Sequence, residues 1–147
     1  MERIAEERRE MRERVIREVK VFAKSLREVL GSITVVLVGS YARGDFNEWS
    51  DIDLLIIVAE ADPNPLKRYD KILDLLVKYS LPIEPIIVTK GEFLKGLKKK
   101  NPLFMEAIKL GVILCDDLKL LTTDHSRMLY TNGTNTCHKR SVYYNEQ

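Results

Sequence analysis

Up to Leu121 the sequence contains no glutamine, and over its whole length it has only two cysteines, one tryptophan and almost no net charge. The two cysteines, Cys115 and Cys137, make neither a metal-ligand spacing nor a disulfide framework, so a reducing cytoplasm is the simplest setting. No apolar run approaches the length of a membrane span. The opening stretch MERIAEERRE has no apolar core and does not read as a signal peptide. A formal net charge of +2 is too small to imply nucleic-acid or membrane binding from composition alone. What is present is 147 residues, 45% hydrophobic and 31% charged, the profile of one soluble domain with a heavily charged surface. Abundant Lys, Arg and Glu beside missing glutamine fits a thermophilic source.

The chain is organised around Val35–Val58, VVLVGSYARGDFNEWSDIDLLIIV. The β-branched run Ile33–Val38 reads as a buried strand that stops at Gly39. Gly39 allows close backbone approach and Ser40 adds a hydroxyl. A short helical turn over residues 41–44 would aim backbone N–H groups at an anion, above all a phosphate. Ten residues after Ser40 come Asp51-Ile52-Asp53, which open a second apolar strand. On a strand, positions 51 and 53 share one face. Two carboxylates that close repel unless a cation lies between them, and an oxygen-only pair beside a phosphate turn favours Mg²⁺. The combination points to metal-assisted chemistry on a nucleotide. Competing motifs fail: no lysine follows the glycines as a P-loop requires, and a dinucleotide fingerprint needs a third glycine.

Gly39-Ser40, ten intervening residues, then Asp51-Ile52-Asp53, with Ala42-Arg43-Gly44 and Ser50 between, resembles the signature of nucleotidyltransferases of the DNA polymerase β superfamily. The short chain and the wording GSYARG…SDIDLLI most resemble the minimal nucleotidyltransferases, small proteins often paired with a HEPN-domain partner. The resemblance implies an α/β nucleotidyltransferase fold with a mixed sheet flanked by helices. It also implies two Mg²⁺ ions, a nucleoside triphosphate donor that is usually ATP, and a third acid on a neighbouring strand. Glu84 is the acid inside the next expected strand, although family members often carry aspartate there. Catalysis and metal binding are thus expected of Asp51, Asp53 and Glu84, and nucleotide binding of Gly39, Ser40, Arg43 and Ser50.

In chain order, residues 2–30 read as one long helix. Its stripe of Ile4, Met11, Val15, Val19, Phe22, Leu26 and Leu30 is expected to pack on the sheet from Val15 onward. Residues 66–79 read as a helix, 81–88 as an edge strand confined by Pro82 and Pro85, and 91–111 as helices broken near Asn101-Pro102. Val112–Cys115 reads as a last strand. The domain is expected to span residues 1–121. From Thr122 the composition turns to Thr, Asn and Ser without periodicity, so 122–147 reads as a disordered or non-native tail; His125, Cys137 and His138 match no usual metal pattern.

Individual residues carry bland readings beside the functional ones. Arg43 can hold a triphosphate oxygen or pair with Asp45 or Glu48. Ser50 is expected to fix the turn before the aspartates. Trp49 is expected to close the core beneath the loop more than to stack on a base. The run Lys95–Lys100 reads as a solvated helix end, and nothing resembles an aromatic-and-basic nucleic-acid platform. With no further domain to hold an acceptor, the chain is expected to borrow one from a partner: a HEPN-domain protein, which would make it the antitoxin of a toxin–antitoxin pair, or a second copy. A transferase acting on a small molecule or RNA, and a catalytically idle nucleotide-binding module, stay open.

Overall fold

In the computed structural model, which describes residues 2–122, four strands form one mixed sheet in the order β3-β2-β1-β4. Helix α1 (Glu2–Leu30) leads into β1 (Ile33–Val38) and the short α2 (Gly39–Arg43); β2 (Ile52–Val58) follows. A 3-10 helix (Pro65–Ile72) and α3 (Leu73–Tyr79) cross to β3 (Ile83–Thr89), then α4 (Lys90–Lys98), α5 (Pro102–Leu110) and β4 (Val112–Asp116) complete the described chain. β1 pairs antiparallel with β2 and β4, and β2 pairs parallel with β3. The expected α/β fold with a mixed sheet is the one observed.

Both faces of the sheet are covered, which is why β1 is buried at every position instead of alternating. On one face Val15, Val19, Phe22 and Leu26 of α1 pack on Val35, Leu37, Leu54 and Ile56. On the other, Phe93 of α4 and Phe104 and Ala107 of α5 pack on Val36, Val38, Leu55 and Ile57. The stripe of α1 buries from Val15 as expected, while Ile4 and Met11 stay largely exposed. Thr89 and Glu92 start α4 with a reciprocal capping box, and Asn101 caps α5 ahead of Pro102. Gly96 lies so close to the Phe104 ring that any side chain there would overlap it, which locks α4 against α5.

The segment expected as one helix over 66–79 divides in two. Asn64 accepts from Leu66 N–H at 3.0 Å, and Arg68 is drawn inward onto the Asp62 and Ile87 carbonyls and both oxygens of Glu92. That inward anchor accompanies the tighter 3-10 winding, and regular α-helix resumes only at Leu73. β3 runs from Ile83, so Pro82 falls outside it; the Pro82 carbonyl accepts from Ile52 N–H at 2.8 Å. Pro85 lies within β3, which is an edge strand as expected.

After β4, the buried Asp116 carboxylate gathers the end of the described chain. It accepts from Thr34 Oγ1 (2.7 Å) and from the N–H groups of Leu120, Leu121 and Thr122 (3.0, 3.0 and 2.8 Å). Leu121 and Thr122 are buried. The expected tail, with His125, Cys137 and His138, lies outside the described residues apart from Thr122.

Candidate active site

Register brings the motif residues together. Val38, the last residue of β1, is opposite Asp53 on β2, and Asp53 is opposite Glu84 on β3. Asp53 shares its face with Leu55 and Ile57, and Glu84 shares its face with Ile86 and Val88; this is the α4–α5 side of the sheet. Asp51 lies one residue before β2, which begins at Ile52, and has the parity of Asp53. Three acids thus reach one end of one face from two strands.

The turn above them is held from several sides. Gly39 takes a left-handed conformation (φ 75°), and a Cβ there would overlap Asp53 Oδ2, so only glycine lets the turn sit on that carboxylate. α2 starts at Gly39, two residues before the expected turn, and ends at Gly44, also left-handed (φ 95°). From α1, Arg12 donates to the Tyr41 and Ala42 carbonyls at 2.7 and 3.0 Å, satisfying groups at the end of α2. Ser50 Oγ accepts from Asn47 N–H at 2.9 Å, so this hydroxyl fixes the loop ahead of Asp51.

Trp49 corrects an expectation: it is 85% exposed, not a core closure. Phe46 takes that role, stacked on Tyr41 with ring centroids 4.2 Å apart and under the Arg8 guanidinium. Trp49 instead borders an open groove of about 770 Å³ between this loop and Ile4, Arg8 and Met11 of α1.

Arg43 pairs with Asp45 (3.2 Å), as the sequence allows, and with Glu106 of α5 (3.1 Å). Glu106 was not among the candidates, nor was Arg12. The Glu106 carboxylate accepts from Gly39 N–H at 2.9 Å with the same oxygen that meets Arg43.

Electrostatically the site is short of positive charge. Asp53 binds its proton more tightly than an ordinary aspartate, first because burial opposes ionisation, then because Asp51 and Glu84 add like charge. Arg43 partly offsets this and Glu106 adds to it. Among the described residues no three acidic, histidine or cysteine side chains are already drawn together around an ion position. The donor set still fits magnesium, which takes one or two carboxylates and completes its shell with phosphate oxygens and water. Asp51, Asp53 and Glu84 are the side chains that would hold it.

A family model of the nucleotidyltransferase domain matches residues 16–110, which include Gly39, Arg43, Ser50, Asp51, Asp53, Glu84 and Glu106 but not Arg12 or the α1 residues before it. The chain belongs to that family. This nucleotidyltransferase is 42% identical over 82 residues to a provisionally named protein adenylyltransferase of Methanocaldococcus jannaschii, covering 52% of this chain and 81% of that one. It is 37% identical over 75 residues to a second protein of that name from the same organism, covering 48% of this chain and half of the relative's length. A solved structure of a provisionally named nucleotidyltransferase from Sulfolobus solfataricus shares the fold, with a TM-score of 0.55 at 21% identity, over 76% of this chain and 89% of that one. Among the described residues of the nucleotidyltransferase, no helix is long and apolar enough to cross a membrane.

Proposed function

We propose that this nucleotidyltransferase moves AMP from ATP to a hydroxyl group on a partner protein, breaking the bond between the α- and β-phosphates and releasing pyrophosphate, with magnesium held by Asp51, Asp53 and Glu84. The carrying observation is the register Val38–Asp53–Glu84, which stacks the Gly39 turn and the acids on one face of the sheet. Gly39 and Ser40 offer backbone N–H groups and a hydroxyl to the outer phosphates, and Arg43 stands beside them with a charge-assisted donor. Glu84, exposed on the edge strand opposite Asp53, would orient the acceptor hydroxyl and take its proton. Ser50 keeps the loop that delivers Asp51 in shape. Bound magnesium supplies charge neutralisation for the triphosphate and for the oxygen that attacks the α-phosphorus.

The names carried by the curated relatives support a protein acceptor and adenylate as the transferred group. A HEPN-type protein is the first acceptor to try, given the resemblance to minimal nucleotidyltransferases. The test incubates the protein with α-labelled ATP, Mg²⁺ and either a HEPN-type protein or host extract. Label transferred to protein, absent without Mg²⁺ and absent in Asp51→Asn and Asp53→Asn, is the expected result. Label in RNA or a small molecule would reassign the acceptor. Triphosphate binding without transfer to anything would reduce the domain to a binding module. Wild-type transfer by Glu84→Gln would remove the third acid from the site.

A further inference from the structure

The Gly39 N–H is the first backbone donor of the motif turn, and in the free protein it is already occupied by an anion from the protein itself. One Glu106 oxygen accepts from Gly39 N–H at 2.9 Å and from Arg43 at 3.1 Å. Those are two of the donors that the nucleotidyl-transfer reading gives to the triphosphate. A carboxylate and a phosphate oxygen cannot both accept that N–H along the same line.

We propose that Glu106 is a built-in competitor for the triphosphate: it occupies the phosphate turn in the free protein and must swing away, releasing Arg43, before the outer phosphates can bind. This rests on the functional reading above and adds a control on the same site.

The geometry makes such an exchange local. α5 cannot move far, because Phe104 and Ala107 are buried in the sheet packing and Gly96 locks α4 against the Phe104 ring. The Glu106 side chain is only half-buried, so rotation about its own bonds suffices to free the turn. Arg43 keeps its tether to Asp45 (3.2 Å) and can turn its released N–H groups to the incoming anion. The net result exchanges one carboxylate for a phosphate that carries more charge.

A residue that merely braced the turn would do the opposite: losing it would loosen the cradle and weaken phosphate binding. The experiment therefore measures binding of inorganic tripolyphosphate and of a non-hydrolysable ATP analogue, each with Mg²⁺, by calorimetry. Wild type, Glu106→Gln and Glu106→Ala are compared, with circular dichroism to establish that each is folded. Glu106→Ala is expected to bind both ligands about tenfold more tightly, the equivalent of one charge-assisted hydrogen bond no longer displaced. Glu106→Gln, whose amide oxygen still accepts but without charge, should fall between. In parallel, tripolyphosphate should raise the melting temperature of Glu106→Ala by more than that of wild type. In transfer assays the variants should show a lower KM for ATP.

Binding by wild type that is unchanged or weakened in Glu106→Ala would overturn this inference and leave the nucleotide site standing. Absence of binding of either ligand to wild type and to both variants would overturn the nucleotide reading and this inference with it.

Discussion

Gly39→Ala is the sharpest test of how the turn and the acids depend on one another. The new methyl meets two separate problems. Alanine at φ 75° must accept a left-handed backbone, which costs about 1–2 kcal/mol. The methyl also overlaps Asp53 Oδ2, and lies 3.1 Å from its Cγ, so the carboxylate has to rotate away at a further cost of about 1 kcal/mol. Together these give about 2–3 kcal/mol, a fall in Tm on the order of 10 °C for a domain of this size. Gly44→Ala supplies the control. Its φ of 95° is also left-handed, but a Cβ there meets nothing within 4 Å, so it bears only the backbone cost of about 1–2 kcal/mol. In magnesium-dependent transfer with labelled ATP, Gly39→Ala should lose at least about a hundredfold, the usual consequence of misplacing a reacting group by an ångström. Gly44→Ala should keep most of its activity at temperatures below its melt. If Gly39→Ala transfers at the wild-type rate, the Asp53 carboxylate does not need the position seen here. If the two variants lose activity equally, backbone strain alone explains the loss.

Asp53→Asn should stabilise the protein at neutral pH. The folded state raises the affinity of Asp53 for its proton above the ordinary 3.8, so the native state is penalised as pH rises through the folded value. The gain from asparagine should therefore be present in urea unfolding at pH 7 and vanish below the unfolded value; an Asn variant less stable than wild type at pH 7 would refute the account. Glu92 behaves oppositely, held down at about 2 first by its hydrogen bonds from Arg68 and then by the Thr89 N–H. Its stabilisation is full above 4.5, its ordinary value, and is lost as pH falls through about 2. Because the Glu92 side chain is 47% exposed, Glu92→Gln should cost only about 1 kcal/mol at pH 7, and that difference should shrink on acidification. Truncation after Lys119 removes three of the N–H donors to Asp116 and should lower Tm sharply relative to truncation after Thr122, which keeps all three. Trp49→Ala, at an 85% exposed side chain, should change stability by less than about 0.5 kcal/mol in denaturant titration.

The fold was largely legible because its elements announce themselves locally. The seven-residue stripe of α1, the β-branched run before Gly39 and the break at Asn101-Pro102 each depend on neighbours along the chain. What stayed hidden depends on neighbours in space. A 3-10 and an α winding share nearly the same apolar spacing, and Arg68 reveals its inward turn only once Glu92 is beside it. Trp49 and Phe46 compete for one place over Tyr41, and nothing in their spacing says which ring takes it. At the site, Asp51, Asp53 and Gly39 stand close in sequence and could be read together. Glu84 required the resemblance to a known family. Glu106 sits mid-helix between Met105 and Ala107, 67 positions from the N–H it meets, and only the packing of α5 across β1 brings it there. The one available signal was a single acid in the otherwise largely apolar stretch Pro102–Leu110.

The parallel pairing of β2 with β3 also fixes when the site can exist. Gly39, Asp51 and Asp53 come from adjacent elements, so an antiparallel β1–β2 pair can bring them together early. Glu84 arrives only after residues 59–82 have crossed over the sheet, a closure that is slower than a hairpin because more chain must be ordered first. Glu106 comes later still, on a helix whose seat beside β1 is completed when β4 adds to the far edge. A chain leaving the ribosome therefore exposes the Gly39 turn with Asp51 and Asp53 before it owns either Glu84 or the Glu106 carboxylate that covers the turn.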